Sequence, residues 1–141
     1  MSNEARNKAI LSRQHVEELF NKGNLKIADE IISAEYVYHG PTGELKGPEG
    51  VKQMVAAGRK AFPDAHWMID DMVADGDKVA VRYTYTGTFK GEYMGFSPTG
   101  KKFKMTGAFF YRFKNGKEVE ALPYYDMLSF YQQLGIPLPK E

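Results

Sequence analysis

The segment HWMIDDMVADGDKVAVRYTYT, residues 66–86, decides the fold of this chain. Bulky side chains, among them Trp67 before the turn and Tyr83 after it, alternate with other residues along both halves of the segment. A period of two is typical of β-strands that bury one face. Between the two halves lies Asp75-Gly76-Asp77, whose residue types favour a tight turn. We therefore predict two antiparallel strands joined as a hairpin.

The same alternation resumes beyond a loop that contains glycine and proline, at residues 90–100. Phe103, Met105, Phe109 and Tyr111 alternate with other residues along this stretch, and Asn115-Gly116 follows. Because both turn positions tolerate a positive φ, this pair predicts a second hairpin that returns the chain through residues 117–125. A short final helix is predicted over residues 127–134, ending at Gly135.

The chain before the first hairpin reads as helical. Small or apolar side chains spaced by threes and fours predict an amphipathic helix over residues 3–22, and a second short helix follows Asn24. Residues 36–39 read as an extended piece, and a third helix is predicted from Pro48 to the residue before Pro63. Helices followed by a meander of strands predict an α+β fold, with helices packed on one face of a curved antiparallel sheet.

Composition limits the function classes. The 141 residues fit one domain, residues 1–141, since a domain typically has ~150 residues. A net charge of +1 lacks the positive field that backbone-driven nucleic-acid binding uses, so we expect no nucleic-acid partner. The N-terminus is polar, and no apolar run approaches the ~18 residues of a membrane span. We expect a soluble, cytoplasmic protein that does not contact membranes.

Metal and cofactor sites are not expected either. The chain has no cysteine, which excludes disulfides, thiolate zinc sites and cysteine nucleophiles. Its three histidines lack the spacing of metal ligands, and no phosphate loop or dinucleotide fingerprint is present. Aromatic residues make up 13% of the chain, more than a small core requires, which indicates an aromatic pocket.

Several motifs resemble one family. They are Phe20-Asn21-Lys22-Gly23-Asn24, Tyr36-Val37-Tyr38-His39, Gly47-Pro48-Glu49-Gly50, Ala61-Phe62-Pro63-Asp64, the stretch VAVRYT at 79–84, GEYMGFSPTGK at 91–101, and Asp126 with Gln133-Leu134-Gly135. In this order they resemble the SnoaL-like polyketide cyclase (ester cyclase) family over nearly the whole chain. The resemblance implies the cone-shaped α+β barrel of the nuclear-transport-factor-two-like superfamily, with a deep apolar pocket. It also implies a homodimer or higher homo-oligomer built on the outer face of the sheet.

The resemblance also says where the family's catalytic groups would lie. The polyketide cyclases of this family close a ring by an intramolecular aldol reaction, in which a pocket carboxylate moves a proton. The position of that aspartate falls on Pro123, and the position of a pocket histidine found in some members falls on Phe109. Neither side chain can accept a proton, so the sequence argues against aldol cyclase activity.

Two other residues remain as candidate catalytic groups. Asp126 is a carboxylate for proton transfer or ligand anchoring, or alternatively the N-cap of the last helix. His39 is a proton shuttle at physiological pH, or alternatively a loop histidine bonded to nearby backbone. Arg82 interrupts an apolar strand and, if it is buried, needs a carboxylate partner, for which Glu120 is the candidate.

The predicted pocket lining is aromatic, with ordinary core packing as the alternative for each residue: Phe20, Tyr36, Trp67, Tyr83, Phe109 and Tyr124. The first functional hypothesis is a domain that takes a small hydrophobic or aromatic molecule into its cone, to hold it or to move a proton. The second is a non-catalytic dimerisation or interaction module with a vestigial pocket. Isomerase activity of the ketosteroid type is a third, although its acidic base and oxyanion pair cannot be located.

Overall fold

The structure is a computed structural model, and it describes residues 2–138. Its helical segments are α1 (Asn3–Ala9), a π-helical segment (Ile10–Asn21), α2 (Ile27–Ile31), α3 (Gly47–Ala61) and α4 (Met127–Leu134). Its strands are β1 (Ile32–Gly40), β2 (Gly43–Lys46), β3 (His66–Asp75), β4 (Lys78–Thr88), β5 (Lys102–Lys114) and β6 (Lys117–Tyr125). The predicted α+β class, with N-terminal helices and a short C-terminal helix, is confirmed.

One six-stranded sheet has the strand order β2-β1-β6-β5-β4-β3. Its strands pair antiparallel except β1 and β6, which run parallel, so the predicted all-antiparallel sheet is corrected at this pair. Most of the chain separates β1 from β6, and such a long connection does not impose the antiparallel pairing that a tight turn does. β2 and β3 form the two edges, so the sheet curves without closing into a barrel.

Both predicted hairpins are confirmed. Gly76, with φ 62°, turns β3 into β4, and Asn115 and Gly116, with φ 52° and 77°, turn β5 into β6. Alternation along the strands then separates an inner face from an outer face. Buried side chains of the inner face are Val79, Val81, Tyr83 and Tyr85 on β4, and Phe103, Met105, Phe109 and Tyr111 on β5.

The helices cover this inner face and enclose the aromatic core. The π-helical segment packs on β3, α3 packs on β1 and β2, and α4 packs on β5. The predicted first helix is therefore present, but from Ile10 it widens into π-helical turns, as in the bond from the Lys22 amide to the Glu17 carbonyl at 3.0 Å. Its buried residues Leu11, His15 and Leu19 are spaced by four, which suits a helix wider than 3.6 residues per turn.

The expected pairing of Arg82 with Glu120 is wrong. Arg82 lies between inward-facing neighbours on β4, so its side chain points outward and is 62% exposed, with its nearest carboxylate, Asp70, at 3.9 Å. Glu120 instead accepts a hydrogen bond at 2.6 Å from Arg112, its cross-strand partner on β5. The guanidinium of Arg112 lowers the pKa of Glu120, and the ion pair lies on the outer face.

Candidate functional site

A cavity of about 500 Å³ lies between the inner face of the sheet, α3 and the loop after β4. We call it the cone cavity, and ten of its 21 wall residues are aromatic: Phe20, Tyr38, Phe62, Trp67, Tyr83, Tyr85, Tyr93, Phe109, Tyr125 and Phe130. Four of the six residues predicted to line the pocket are among these, namely Phe20, Trp67, Tyr83 and Phe109. That these four contact a ligand stays a prediction.

Trp67 on β3 is the centre of this aromatic wall. Its ring stacks on Tyr85 with a centroid distance of 3.8 Å and an angle of 17° between the planes. The Tyr83 ring lies 4.8 Å from Trp67 at an angle of 52°, and the Phe20 ring meets Trp67 edge-on at 5.4 Å. These flat faces and edges suit stacking against a planar ligand.

Five tyrosines belong to the wall: Tyr85 stacks on Trp67, and the other four are Tyr38, Tyr83, Tyr93 and Tyr125. Burial raises the pKa of each above its ordinary value, and the neighbouring tyrosines add to the shift. Within residues 2–138, Tyr111 and Tyr131 are the tyrosines whose hydroxyls form hydrogen bonds. The hydroxyls of these four wall tyrosines therefore have no protein partner in that part of the chain. At neutral pH they are protonated donors whose partner can be a ligand.

Charge is nearly absent from the cone cavity. Arg59 on α3 is the one charged side chain among its described wall residues, which contain no Asp, Glu or His. The guanidinium of Arg59 donates to the carbonyls of Phe20 and Asn21, at 3.2 and 2.7 Å. It thereby satisfies two carbonyls at the end of the π-helical segment, where the partial negative charge of a helix C-terminus favours a cation.

The two positions that the family resemblance marked as catalytic face each other. Phe109 on β5 and Pro123 on β6 are cross-strand partners, and both are buried on the inner face. A carboxylate and an imidazole at these positions would lie side by side at the cone cavity. This chain has an apolar pair there instead.

The two candidate catalytic residues lie outside the wall. Asp126 is exposed and caps α4, with its Oδ1 accepting a hydrogen bond at 2.9 Å from the Ser129 amide. His39 is 35% exposed on the outer face, because Tyr38 beside it points inward. Its Nδ1 lies 3.0 Å from a Glu44 carboxylate oxygen and its Nε2 lies 3.1 Å from one of Glu120.

Two predicted lining residues are placed elsewhere. Tyr124 is 58% exposed on the outer face, where its ring packs edge-on against Phe110 at 5.8 Å. The correction follows from strand alternation, since Pro123 points inward and its neighbour must point outward. Tyr36 does point inward, but it lies in the solid core near Glu118 and not in the wall of the cone cavity.

Sequence reasoning missed a buried polar pair behind the wall. His15 on the π-helical segment and Glu118 on β6 are 2% and 0% exposed, and Nδ1 of the imidazole lies 2.7 Å from Oε2 of the carboxylate. The Tyr111 hydroxyl lies 3.4 Å from Nε2 of the same ring. The signal that could have found the pair is weak, because a β-bulge between Glu118 and Glu120 turns the first of these inward.

Two further classes of site were tested on the described residues. Between residues 2 and 138, no group of three or more His, Asp or Glu side chains is arranged to hold a metal ion. In the same part of the chain, no helix has both the length and the apolar character needed to cross a membrane.

Comparisons with known proteins agree with this geometry. The sequence model of the SnoaL-like polyketide cyclase family matches residues 10–134. Aklanonic acid methyl ester cyclase DnrD of Streptomyces peucetius is 29% identical over 126 residues, which are 86% of this chain and 87% of the relative. The solved structure of AclR from Streptomyces galilaeus is 31% identical and superposes with a TM-score of 0.81, covering 97% of this chain and 100% of its own.

The fold is shared more widely than the sequence. TsrD from Streptomyces laurentii superposes with a TM-score of 0.86 at 23% identity, covering 97% of this chain and 100% of its own. At that identity the match shows the fold alone. The family model, in contrast, spans most of the chain from the π-helical segment to α4. The chain therefore belongs to the SnoaL-like polyketide cyclase family.

Proposed function

We propose that the cone cavity binds a small aromatic molecule of the polyketide type, a fused-ring compound that carries carbonyl or hydroxyl groups. The observation that carries this proposal is the composition of the wall, in which stacked aromatic rings are combined with unpartnered tyrosine hydroxyls and no acidic side chain. The cavity volume of about 500 Å³ is within the ~300–1,000 Å³ of small-molecule sites. The name of DnrD, a cyclase of aklanonic acid methyl ester, supports the ligand class.

The binding energy would come from two sources. Apolar ligand area removed from water contributes about 25 cal/mol per Å² before the cost of association. The hydroxyls of Tyr38, Tyr83, Tyr93 and Tyr125 then orient the ligand by donating to its carbonyl oxygens. Because burial raises the pKa of these hydroxyls, they remain donors over the whole physiological pH range.

The proposal is binding without aldol closure. Phe109 and Pro123 occupy the positions of the family's proton-transfer groups, and the described wall contains no other base. Proton transfer by His39 or Asp126, which the sequence suggested, has no contact with the cone cavity to support it. A ligand held by neutral donors would therefore keep its protons unless a group outside this wall takes them.

Ligand binding can be tested with naphthol, alizarin and anthraquinone. Trp67 is the only tryptophan and lies in the wall, so its fluorescence reports occupancy of the cone cavity. A ligand at 100 times its dissociation constant stabilises the native state by about 2.7 kcal/mol, which raises the melting temperature of 141 residues by about 9 °C. If none of the three probes changes fluorescence or melting temperature, the proposal is wrong.

A matched pair of variants locates the ligand. Tyr38→Phe and Tyr125→Phe each remove one hydroxyl from the wall, and each should weaken binding of anthraquinone by about 2- to 12-fold, the range of one lost hydrogen bond. Tyr124→Phe removes a hydroxyl from the outer face and should leave affinity unchanged. Equal effects of all three substitutions would contradict binding in the cone cavity.

We also propose that the outer face of the sheet forms a homodimer, which is the basis of the alternative function as an interaction module. Its supporting observation is the group of exposed apolar side chains on β3, β5 and β6: Val73, Phe110 and Tyr124. Phe110→Lys should convert a dimer into a monomer in sedimentation experiments without changing the affinity for anthraquinone. A wild-type protein that is monomeric at high concentration would refute this assembly. Dimerisation without binding of any probe would favour the module over the ligand-binding function.

A further inference from the structure

A polar pair is buried immediately behind the aromatic wall. His15 and Glu118 are 2% and 0% exposed and lie 2.7 Å apart, and neither belongs to the wall of the cone cavity. We propose that this pair is a hidden polar subsite of the cone cavity, which accepts a hydrogen bond from a phenolic or enolic hydroxyl of the ligand. This inference rests on the proposed function, since it assigns a recognised group to the same ligand.

The hydrogen-bond pattern leaves His15 with a free acceptor. Nδ1 of His15 faces Oε2 of Glu118. Because a carboxylate is an acceptor, a neutral imidazole here has its proton on Nδ1 and donates it to Oε2 in a hydrogen bond. The lone pair of the neutral ring is then on Nε2. The Tyr111 hydroxyl at 3.4 Å is a long and weak donor to Nε2, so a better-placed hydroxyl would replace it.

Glu118 is incompletely satisfied as well. Its Oε1 is fully buried and has no hydrogen-bond partner within residues 2–138. A buried oxygen without a donor costs free energy that the fold must compensate elsewhere. Anchoring of the π-helical segment to β6 explains the bond through Oε2, but it does not explain why the second oxygen lacks a donor.

A second, much smaller void lies beside His15 and shares four wall residues with the cone cavity. This inner void has a volume of about 10 Å³, enough for one water molecule, and His15 and Tyr111 are in its wall. The rings that separate it from the cone cavity belong to both walls: Phe20, Trp67, Tyr83 and Phe109. A single layer of side chains therefore separates a ligand in the cone cavity from the imidazole of His15.

Phe20 is the ring in this layer that contacts the imidazole directly. Its centroid lies 4.4 Å from that of His15, and the residue is near the end of the π-helical segment. π-helical turns are rare and occur often at functional sites. Displacement of the Phe20 ring would join the inner void to the cone cavity and bring a ligand hydroxyl to Nε2 of His15.

The ligand class follows from the chemistry of the pair. Nε2 of His15, a residue in the wall of the inner void, is an acceptor, so the group that it selects must be a hydrogen-bond donor. The tyrosine hydroxyls of the cone cavity, in contrast, can donate to a carbonyl. The expected ligand is thus a fused-ring compound with a carbonyl or hydroxyl at one end and a hydroxyl at the other.

The test compares naphthol with its methyl ether, which has the same ring system but cannot donate a hydrogen bond. The full chain is labelled with nitrogen-15 at its three histidines, and the imidazole resonances are followed as each probe is added. We expect naphthol to shift the Nε2 resonance of His15, whereas the ether leaves it unchanged. Resonances of His39 and His66, which are outside both walls, are the internal control.

Affinity gives a second measurement. Naphthol should bind at least about tenfold more tightly than the ether to the wild-type protein, since an unmade bond to a buried polar group is expensive. Glu118→Gln retains the shape of the side chain but removes its charge, so this ratio should fall towards one. His66→Phe, a change at an exposed strand residue, should retain it.

The possible results separate the two proposals. If both probes change the fluorescence of Trp67 while the His15 resonances stay constant and the affinity ratio is one, the subsite is refuted and ligand binding stands. If neither probe binds, ligand binding and the subsite both fall. The decisive spectrum uses the wild-type protein, so a failure of Glu118→Gln to fold would not remove the test.

Discussion

Truncation of Glu118 should destabilise this protein more than truncation of any other carboxylate on β6. The Glu118→Ala variant leaves His15 buried without its partner, 2% exposed and surrounded by the rings of Phe20 and Tyr111. A buried polar group that loses its partner bears the full cost of its desolvation. Glu120→Ala is the matched control, because Glu120 lies two residues further along the strand and pairs with Arg112 on the outer face.

The size of the effect can be worked out from the burial of the pair. Removal of one partner from a buried hydrogen bond leaves the other group unsatisfied, at a cost of about 1–3 kcal/mol. A chain of 141 residues unfolds with an entropy of about 300 cal/mol/K near its midpoint, so each kcal/mol lowers the melting temperature by about 3 °C. Glu118→Ala should therefore lower it by about 3–10 °C. Glu120→Ala should cause only a small part of that decrease, since exposed pairs contribute little.

Thermal and urea unfolding followed by circular dichroism would measure both variants. The double variant His15→Phe/Glu118→Leu should recover most of the lost stability, because apolar residues of similar volume can replace a buried pair. Equal melting temperatures for Glu118→Ala and Glu120→Ala would refute the assignment of Glu118 to the core. A double variant that is no more stable than Glu118→Ala would show that packing, and not the unpaired imidazole, causes the loss.

Three further predictions follow from local geometry. Burial raises the pKa of Tyr36, Tyr85 and Tyr111 above 10.0, so above that pH the unfolded chain releases protons that the native chain retains. The free energy of unfolding should then fall by about 1.4 kcal/mol per pH unit for each such tyrosine. A melting temperature that stays constant from pH 9 to about 11.5 would contradict this. Asp126→Ala should cost about 1 kcal/mol of stability, because it removes the cap of α4. Ligand affinity should stay unchanged, and a loss of affinity would assign Asp126 to the site. Gly91→Ala should cost about 1–3 kcal/mol, because a Cβ there meets the carbonyl oxygen of Lys60, and a melting temperature equal to wild type would show that the loop gives way.

Local signals in the sequence were sufficient for most of the fold. The hairpins at Gly76 and at Asn115-Gly116 depend on residues that adopt a positive φ, and that preference is local. The alternation on β4 and β5 likewise fixes which side chains reach the core. Trp67 and Phe109 accordingly lie on the inner face, in the wall of the cone cavity, and their contact with a ligand stays a prediction.

Non-local pairing explains what was not predicted. β1 lies parallel to β6, and no turn near either strand encodes that contact. The placements of Tyr124 and His39 depend on which neighbour points inward, and Pro123 and Tyr38 take those positions. The burial of Glu118 was not predicted, because strict alternation places Glu118 on the same face of β6 as Glu120. The β-bulge between them places the two side chains on opposite faces of the sheet.

The distribution of charge between the two faces limits what chemistry the cavity can perform. A carboxylate restored by Pro123→Asp would face Phe109 in an apolar wall, and burial there would raise its pKa and favour the neutral acid. The carboxylate that this chain does bury, Glu118, is held by an imidazole instead and is screened from the ligand by the Phe20 ring. Under the proposed subsite, a ligand in the cone cavity would therefore reach the imidazole of His15 only after displacement of that ring. Wild-type protein that takes up naphthol with the His15 resonances unmoved would leave the cavity as a site of binding alone.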